Sequence, residues 1–297
     1  MKKNWVLWVM LIPTFAFFFV NCYMPMFGIY YAFIKPEFGK GIFAGKFVGL
    51  DNFKFLFQTD TAWVITRNTI LYNLVFIFVG NLLQVLFAVL ISMMVGKWFK
   101  KAVQSVMLLP YFVSEVVVGT LSYNFFNYDY GILNTWLKSF GRAPQDLYNN
   151  PTVFPFVIIF FGLWKSLGYG TIIYLSSILG IDTELYEASN LDGANIFQQI
   201  RYITLPLLKP TFIIMLLYSL GNIMKGQFGL FYQLVGMNGQ LFSTTDIIDT
   251  YVYRALMQGT NFGMSTAAGV YQSVFGFVLI LITNTLVKRY HPDYALF

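Results

Sequence analysis

Long apolar segments alternate with shorter polar ones along the whole chain. Each apolar segment holds at least the roughly 20 residues that a helix needs to cross a hydrocarbon core of about 30 Å. The segments are longer than membrane β-strands, and none keeps a sustained two-residue alternation. Because backbone groups in lipid must pair internally, the pattern predicts an all-α membrane protein with six transmembrane helices. The predicted helices cover residues 5–33, 68–95, 103–126, 153–179, 207–235 and 265–287.

The composition supports this prediction, since 57% of the residues are hydrophobic and only 11% are charged. A soluble domain carries about 25% charged residues. The first apolar segment is too long for a signal peptide and lacks a small-residue cleavage site, so we expect it to remain as a helix. We expect one transmembrane domain over residues 1–297, without a separate soluble domain.

Basic residues give the chain a net charge of +6 but form no stripe or run, so we do not expect nucleic acid as a partner. They divide almost evenly between the two predicted sides of the membrane. The positive-inside rule gives most weight to short loops, and the link 96–102 carries Lys97, Lys100 and Lys101. This link and the basic chain ends predict that both termini lie in the cytoplasm.

Few residues of this chain are suited to metal or covalent chemistry. The single cysteine, Cys22, cannot form an internal disulfide. The single histidine, His291, excludes a histidine-based metal cluster or catalytic triad. Residues 41–47 come nearest to an ATP-binding loop, but their glycine spacing is wrong and Phe47 replaces the hydroxyl that would bind Mg²⁺. We therefore expect the chain itself to bind no cofactor or metal.

A polar segment, residues 181–206, separates the fourth and fifth predicted helices. Asp182 or Thr183 can cap a short helix at its beginning. Asp192 and Gly193 then form a tight turn, which we expect to have no room for a large side chain.

Asp192 can also cap a second short helix, with Ile196, Phe197 and Ile200 on one face. Two short helices joined by a turn make a compact structure that can fit a groove on another protein. The alternative is an amphipathic helix lying on lipid, but anionic lipid would repel the acidic side chains of the segment. These acids are Asp182, Glu184, Glu187 and Asp192.

The polar segment resembles the EAA loop of ABC-importer membrane subunits. In that pattern Glu-Ala-Ala is followed by three residues, a glycine, nine residues and Ile-x-Leu-Pro. Here Glu187-Ala188-Ser189 is followed at the same spacing by Gly193 and then by residues 203–206, and Ser189 departs from the pattern. The resemblance implies a type I ABC importer permease whose coupling helix docks on a nucleotide-binding subunit. The docking residues it implies are Glu187, Ala188, Ser189, Asp192, Gly193, Ala194 and Phe197.

Further stretches resemble permeases of the carbohydrate-uptake branch, of the polysaccharide and uronate-oligosaccharide type similar to alginate-importer permeases. The resemblance implies a multi-pass protein of the bacterial inner membrane that works by alternating access. It implies a second, homologous permease as partner, two copies of an ATPase that bind ATP and Mg²⁺, and an extracytoplasmic binding protein that delivers the sugar. The stretches are residues 23–29, 41–43, 47–53, 164–175 and 245–254.

Ionisable residues inside a membrane segment are costly and suggest a functional role. Counting along straight helices places Glu115 and Lys165 near mid-depth, where they can be a structural ion pair or part of a substrate pathway. Lys225 falls in the outer half of the fifth helix, near Asn222 and Gln227 and without a neighbouring acid. This setting suits a carboxylated sugar, although a solvated lysine at the mouth of an outer vestibule explains it nearly as well.

Glycines at 221, 226 and 229 loosen the fifth helix around Lys225. An interrupted helix near the bilayer midplane is a usual place for a transport site. Aromatic residues make up 20% of the chain, and most of them are expected to face lipid or the membrane interface. Those predicted to stack on sugar rings are Tyr218, Phe228 and Tyr271.

Other classes of membrane protein are less consistent with the sequence. A membrane-embedded transferase needs clustered acids or histidines at one membrane face, and the loops offer no convincing cluster. An ion-coupled secondary transporter leaves the polar segment 181–206 unexplained. An ABC permease for a different small solute keeps that segment and differs only in the substrate pathway.

Overall fold

In this computed structural model the chain is described over four ranges and is helical there, apart from loops and one two-stranded sheet. His291 and the stretch 41–43 lie outside the described residues. The described ranges are residues 5–37, 45–58, 60–257 and 262–290. The helices are α1 Trp5–Phe18, α2 Asp51–Gln58, α3 Thr61–Ser92, α4 Lys97–Phe112, α5 Glu115–Phe126, α6 Ile132–Ser139, α7 Phe154–Leu179, α8 Thr183–Leu191, α9 Ile196–Gln199, α10 Leu205–Gly221, α11 Phe228–Val235, α12 Phe242–Thr245, α13 Ile248–Met257 and α14 Phe262–Tyr290.

Among the described residues, five helical segments are long and apolar enough to cross a membrane, and a sixth crossing requires α4 and α5 together. The prediction of an all-α bundle is confirmed. The third predicted helix, residues 103–126, is wrong as a single element, because α4 and α5 meet at a bend of 92°. Pro110 in the last turn of α4 lacks the N–H that would continue the helix. The five segments are Leu7–Phe33, Thr61–Ser92, Phe154–Leu179, Ile196–Gly221 and Phe262–Arg289.

The chain divides into two compact units, and a single domain over residues 1–297 stays a prediction. The first unit is Met1–Trp63 with Ile248–Val274, and the second is Val64–Ile247 with Phe275–Phe297.

In the first unit, α1 continues through a π-helical turn and a 3₁₀ helix to Phe33. Strands β1 (Ile34–Pro36) and β2 (Gly45–Phe47) pair antiparallel. The buried side-chain amide of Asn52 donates hydrogen bonds to the carbonyl oxygens of Ala32 at 3.1 Å and Ile34 at 2.8 Å. Asn52 thereby fixes α2 to the preceding chain, which gives the stretch 47–53 a structural role.

In the second unit, two hydrophobic clusters hold α7 against its neighbours. One cluster joins α7 to α3, α5 and α11 around Phe154 and Phe231. The other joins α7 to α3 and α10 around Tyr174. A Cβ on Gly168 would lie 1.9 Å from the carbonyl oxygen of Met107, so α4 and α7 approach this closely only because residue 168 is a glycine.

Candidate functional site

The polar segment 181–206 begins with α8. Asp182 caps this helix, because its carboxylate accepts a hydrogen bond from the backbone amide of Glu184 at 3.0 Å. The predicted short helix is confirmed, and of its two candidate caps the structure selects Asp182 and not Thr183. Glu187 and Ala188 are exposed on α8, so both are available to a partner.

A turn at Asp192 and Gly193 ends α8. The amide of Asp192 donates to the carbonyl of Ala188 at 3.0 Å, and the amide of Ala194 donates to the carbonyl of Ser189 at 2.9 Å. Gly193 has a φ of +78°, which residues with a Cβ disfavour. Nothing lies within 4 Å of the position that a Cβ on Gly193 would take. The prediction that this turn has no room is therefore wrong, because its backbone conformation and not crowding requires glycine.

Asn195 caps the second helix, and the prediction that Asp192 does so is wrong. The side chain of Asn195 accepts from the Gln198 amide at 3.0 Å, and the Gln198 side chain accepts from the Asn195 amide at 2.7 Å. An N-cap needs the extended backbone that Asn195 adopts, whereas Asp192 is helical. α9 then continues through a π-helical turn, Ile200–Thr204, into α10. It is therefore the beginning of the fifth span and not a separate helix.

Side-chain hydrogen bonds tie α8 to the start of this fifth span. The side-chain amide of Gln199 donates to the Ser189 hydroxyl at 2.9 Å and to the side-chain oxygen of Asn190 at 2.6 Å. The Tyr186 hydroxyl lies 2.9 Å from Oγ1 of Thr204. A cavity of about 300 Å³ lies between α8, the ends of α3 and α7, and the start of the fifth span. These hydrogen bonds hold α8 against the first turns of the fifth span.

Large apolar side chains are exposed around the glycine turn. Leu191 is 91% exposed and Phe197 is 78% exposed. Exposed apolar groups of this size are typical of interaction surfaces. We call this surface the knob and define it by Glu187, Ala188, Leu191, Asp192, Gly193 and Phe197.

The junction of α4 and α5 is the first of two helix breaks in the second unit. Val113 ends α4, and Ser114 caps α5. Lys165 on α7 donates a hydrogen bond to the Val113 carbonyl, and its ammonium lies 4.0 Å from the Glu115 carboxylate. The cation stands at the carboxyl end of α4 and the carboxylate in the first turn of α5, where the two helix dipoles favour them.

The structure pairs Glu115 with Lys165, and a role for them in the substrate pathway stays a prediction. The depth of Glu115 cannot be counted along a straight helix. The side chain of Lys165 is 16% exposed, and that of Glu115 is 49% exposed. A half-exposed carboxylate within a membrane span has to face water or another protein surface, because contact with lipid would be too costly. The pair therefore indicates which side of α5 and α7 is turned away from lipid.

The second break separates α10 from α11 at residues 222–227. The side-chain amide of Asn73 donates to the carbonyl oxygens of Ile223 at 2.9 Å and Lys225 at 3.2 Å, in place of helical hydrogen bonds. The predicted interruption of the fifth helix is confirmed. The side chains of Lys225 and Gln227 are exposed, and within the described part of the chain Lys225 makes no ion pair.

The other predicted pathway residues belong to different parts of the molecule. The side-chain amide of Asn222 donates to the backbone carbonyl of Tyr218 at 3.0 Å, and the Tyr218 side chain is 68% exposed. Phe228 stacks on Tyr232 within α11. Tyr271 lies in the first unit, where the edge of its ring contacts Phe57.

A stacked aromatic pair near the first break was not predicted from the sequence. The rings of Tyr111 and Tyr169 lie 4.9 Å apart at 14° to each other, and both side chains are about half exposed. Tyr169 is four residues after Lys165 on α7, so the two side chains share one face of that helix. Stacked, partly open rings of this kind offer a surface to the apolar face of a sugar ring.

Comparison with known proteins identifies a matching family, relatives of similar length and structures with the same fold. Residues 84–292 match the family described as binding-protein-dependent transport system inner membrane component. The chain is 32% identical to the polygalacturonan/rhamnogalacturonan transport system permease protein YteP of Bacillus subtilis (strain 168), over 97% of this chain and 89% of that protein. It is 30% identical to protein LplB of the same strain, over 99% and 92%.

A solved bacterial ABC transporter that imports the acidic polysaccharide alginate contains a chain that is 32% identical to this one. The alignment covers 97% of this chain and 96% of that chain, with a TM-score of 0.87. A second structure, of the alginate transporter in complex with a periplasmic protein bound to alginate pentasaccharide, gives a TM-score of 0.86 over the same shares.

Proposed function

The chain belongs to the family of binding-protein-dependent transport system inner membrane components, and on this premise we propose that it carries acidic oligosaccharides across the membrane. As a member of that family it is a multi-pass inner membrane permease subunit of an ABC importer and not an enzyme. The substrate class, the remaining subunits and the orientation of the termini are parts of the proposal.

The proposal of an acidic substrate rests on the position of Lys225. Its side chain is exposed at a break in a membrane helix, and among the described residues it forms no ion pair. The Glu115 carboxylate packs against Gly229, four residues further along, and is paired with Lys165. An unpaired cation in such a position can bind a carboxylate on a substrate. The names of two relatives, one a polygalacturonan transport permease and the other an importer of the acidic polysaccharide alginate, support the same substrate class.

We infer that the stacked rings of Tyr111 and Tyr169 contribute an apolar surface to the sugar path. A sugar ring has apolar C–H faces that pack on aromatic rings, and its hydroxyls need polar partners such as Asn222 and Gln227. This arrangement suits a neutral or acidic sugar equally well. Lys225 is therefore the group that would distinguish the two.

The knob is proposed to dock on a partner ATPase in the cytoplasm, and ATP and Mg²⁺ are bound by that ATPase. Its acidic groups disfavour contact with anionic lipid, while exposed Leu191 and Phe197 need an apolar groove. A second homologous permease would complete the substrate path, and two ATPase copies would each receive one knob. Closure of the ATPase pair would then move the two permeases as rigid bodies between inward-facing and outward-facing states.

The proposal is tested by purifying the complex with its ATPase and second permease and reconstituting it in liposomes with the binding protein. We expect uptake of an acidic oligosaccharide that requires ATP on the knob side of the membrane. Uptake that persists without ATP and follows an ion gradient would identify a secondary transporter. ATP-driven uptake of neutral solutes alone would contradict the substrate class while leaving the importer assignment intact.

The orientation of the chain follows from the short basic link and the position of the knob. We expect a reporter fused at Asn190 to be cytoplasmic, because the knob must face the ATPase. An external location for Asn190 would contradict the proposed docking. Phe297 lies outside the described residues, and its expected location rests on the basic chain ends. Fusions should report the cytoplasm at Lys101, Asn190 and Phe297, and the external side at Lys46, Gly141 and Gly239.

A further inference from the structure

The turn between α3 and α4 exposes apolar and basic side chains together. Val95 is 94% exposed, Trp98 is 83% exposed and Phe99 is 62% exposed. Three lysines lie among these residues, of which Lys97 and Lys101 are exposed and Lys100 is partly buried. We call the surface the basic–aromatic turn and define it by Val95, Lys97, Trp98, Phe99, Lys100 and Lys101.

Two of the three lysines, Lys97 and Lys101, do little for the stability of the fold. All three lie within the first five residues of α4, near the end where its dipole disfavours cations, although the Lys100 ammonium also stands at the carboxyl end of α3. In the described part of the chain none of them makes an ion pair, and Lys100 only donates to the carbonyl oxygen of Ser92 at 3.4 Å. Lys97 and Lys101 therefore stand as exposed cations beside exposed aromatic rings, where an anionic partner can bind them.

We propose that the basic–aromatic turn binds an anionic phospholipid of the surrounding membrane. The turn directly follows α3, a membrane-spanning helix, so it lies at the level of the headgroups. Its lysines match the negative phosphate of the headgroup. Trp98, Phe99 and Val95 can enter the boundary between headgroups and acyl chains, as the apolar face of an interfacial helix does.

The knob provides an internal comparison for this choice of partner. Both surfaces expose large apolar side chains, but the knob carries Glu187 and Asp192 where the basic–aromatic turn carries lysines. Anionic lipid repels the first surface and attracts the second. The acidic charge of the knob therefore favours a protein partner, and the basic charge of the basic–aromatic turn favours anionic lipid.

The test uses the complete transporter in nanodiscs and measures quenching of Trp98 by brominated phospholipids. The Trp98 signal is the difference between the parent complex and its Trp98→Phe variant. We expect brominated phosphatidylglycerol to be preferred over brominated phosphatidylcholine at this position. Replacing Lys97, Lys100 and Lys101 with Gln should reduce the preference roughly hundredfold, at about fivefold per lysine.

A matched variant replaces Lys46, Lys54 and Lys138 with Gln, which removes the same net charge from other loops and should keep the preference. Equal quenching by both lipids, or a preference that survives in the Lys97, Lys100 and Lys101 variant, would overturn the proposal. So would displacement of the lipid by inorganic phosphate, which would identify a site for a soluble anion. The measurement needs no ATP or sugar, so it stands or falls independently of the proposed transport function.

Discussion

In the Gly193→Trp variant, we expect the stimulation of ATP hydrolysis by substrate-loaded binding protein to be abolished while the chain still inserts into the membrane. The φ of +78° at Gly193 costs a residue with a Cβ about 1–2 kcal/mol. The space around it is open, so the indole would stand on the knob between Leu191 and Phe197 and block docking. The measurement is ATPase activity of the purified complex with and without the loaded binding protein.

A control variant separates the shape of the turn from the bulk on its surface. Asn tolerates the left-handed conformation better than other residues do, so Gly193→Asn should keep most of the stimulation. Glu187→Arg should abolish it by reversing a charge on the docking surface without altering the turn. Normal coupling in both Gly193→Trp and Glu187→Arg would remove the support for the knob as the docking surface.

In the Lys225→Gln variant, we expect uptake of acidic oligosaccharides to fall roughly tenfold or more relative to uptake of any neutral sugar carried. A charged hydrogen bond in a partly desolvated site contributes about 1.5–3 kcal/mol, which corresponds to at least this factor. Glutamine keeps the length and polarity of the side chain and removes the charge. The measurement is uptake into liposomes that contain the whole complex, with the same binding protein for each sugar.

Lys209→Gln is the matched control for this experiment. It removes one exposed positive charge from the other end of α10 and should leave the ratio of acidic to neutral uptake unchanged. Equal losses of acidic and neutral uptake in Lys225→Gln would make Lys225 a packing or gating residue. The proposed preference for uronates would then lack its local physical cause.

Signals within a few residues predicted much of the fold and part of the site. Apolar length predicted the membrane spans, Asp182 was one of the two caps predicted for α8, and the glycines around Lys225 predicted the second break. The prediction of Asp192 as the second cap failed because Asn195, three residues further on, is an equally good capping residue. The choice between the two was decided by the reciprocal bonds between Asn195 and Gln198 and by the helical backbone of Asp192.

Features that depend on two distant helices could not be predicted in this way. The bend at Val113 requires a lysine from α7 to satisfy the carbonyl oxygen that the break exposes. Pro110 is a local sign of weakness there, but proline also occurs in continuous membrane helices. The stacking of Tyr111 on Tyr169 likewise depends on the close approach of α4 and α7 at Gly168, which no spacing within one helix shows.

The pairing of Glu115 with Lys165 also bears on how the protein is made. During synthesis Glu115 emerges and reaches the insertion machinery before Lys165 exists. A charge inside an inserting helix costs up to about 2.5–3.5 kcal/mol. The Val113 carbonyl oxygen also lacks its hydrogen-bond donor until Lys165 has been made. The third span can therefore settle in lipid only when the fourth arrives to supply the ammonium, so the two are expected to leave the insertion machinery together as one hairpin.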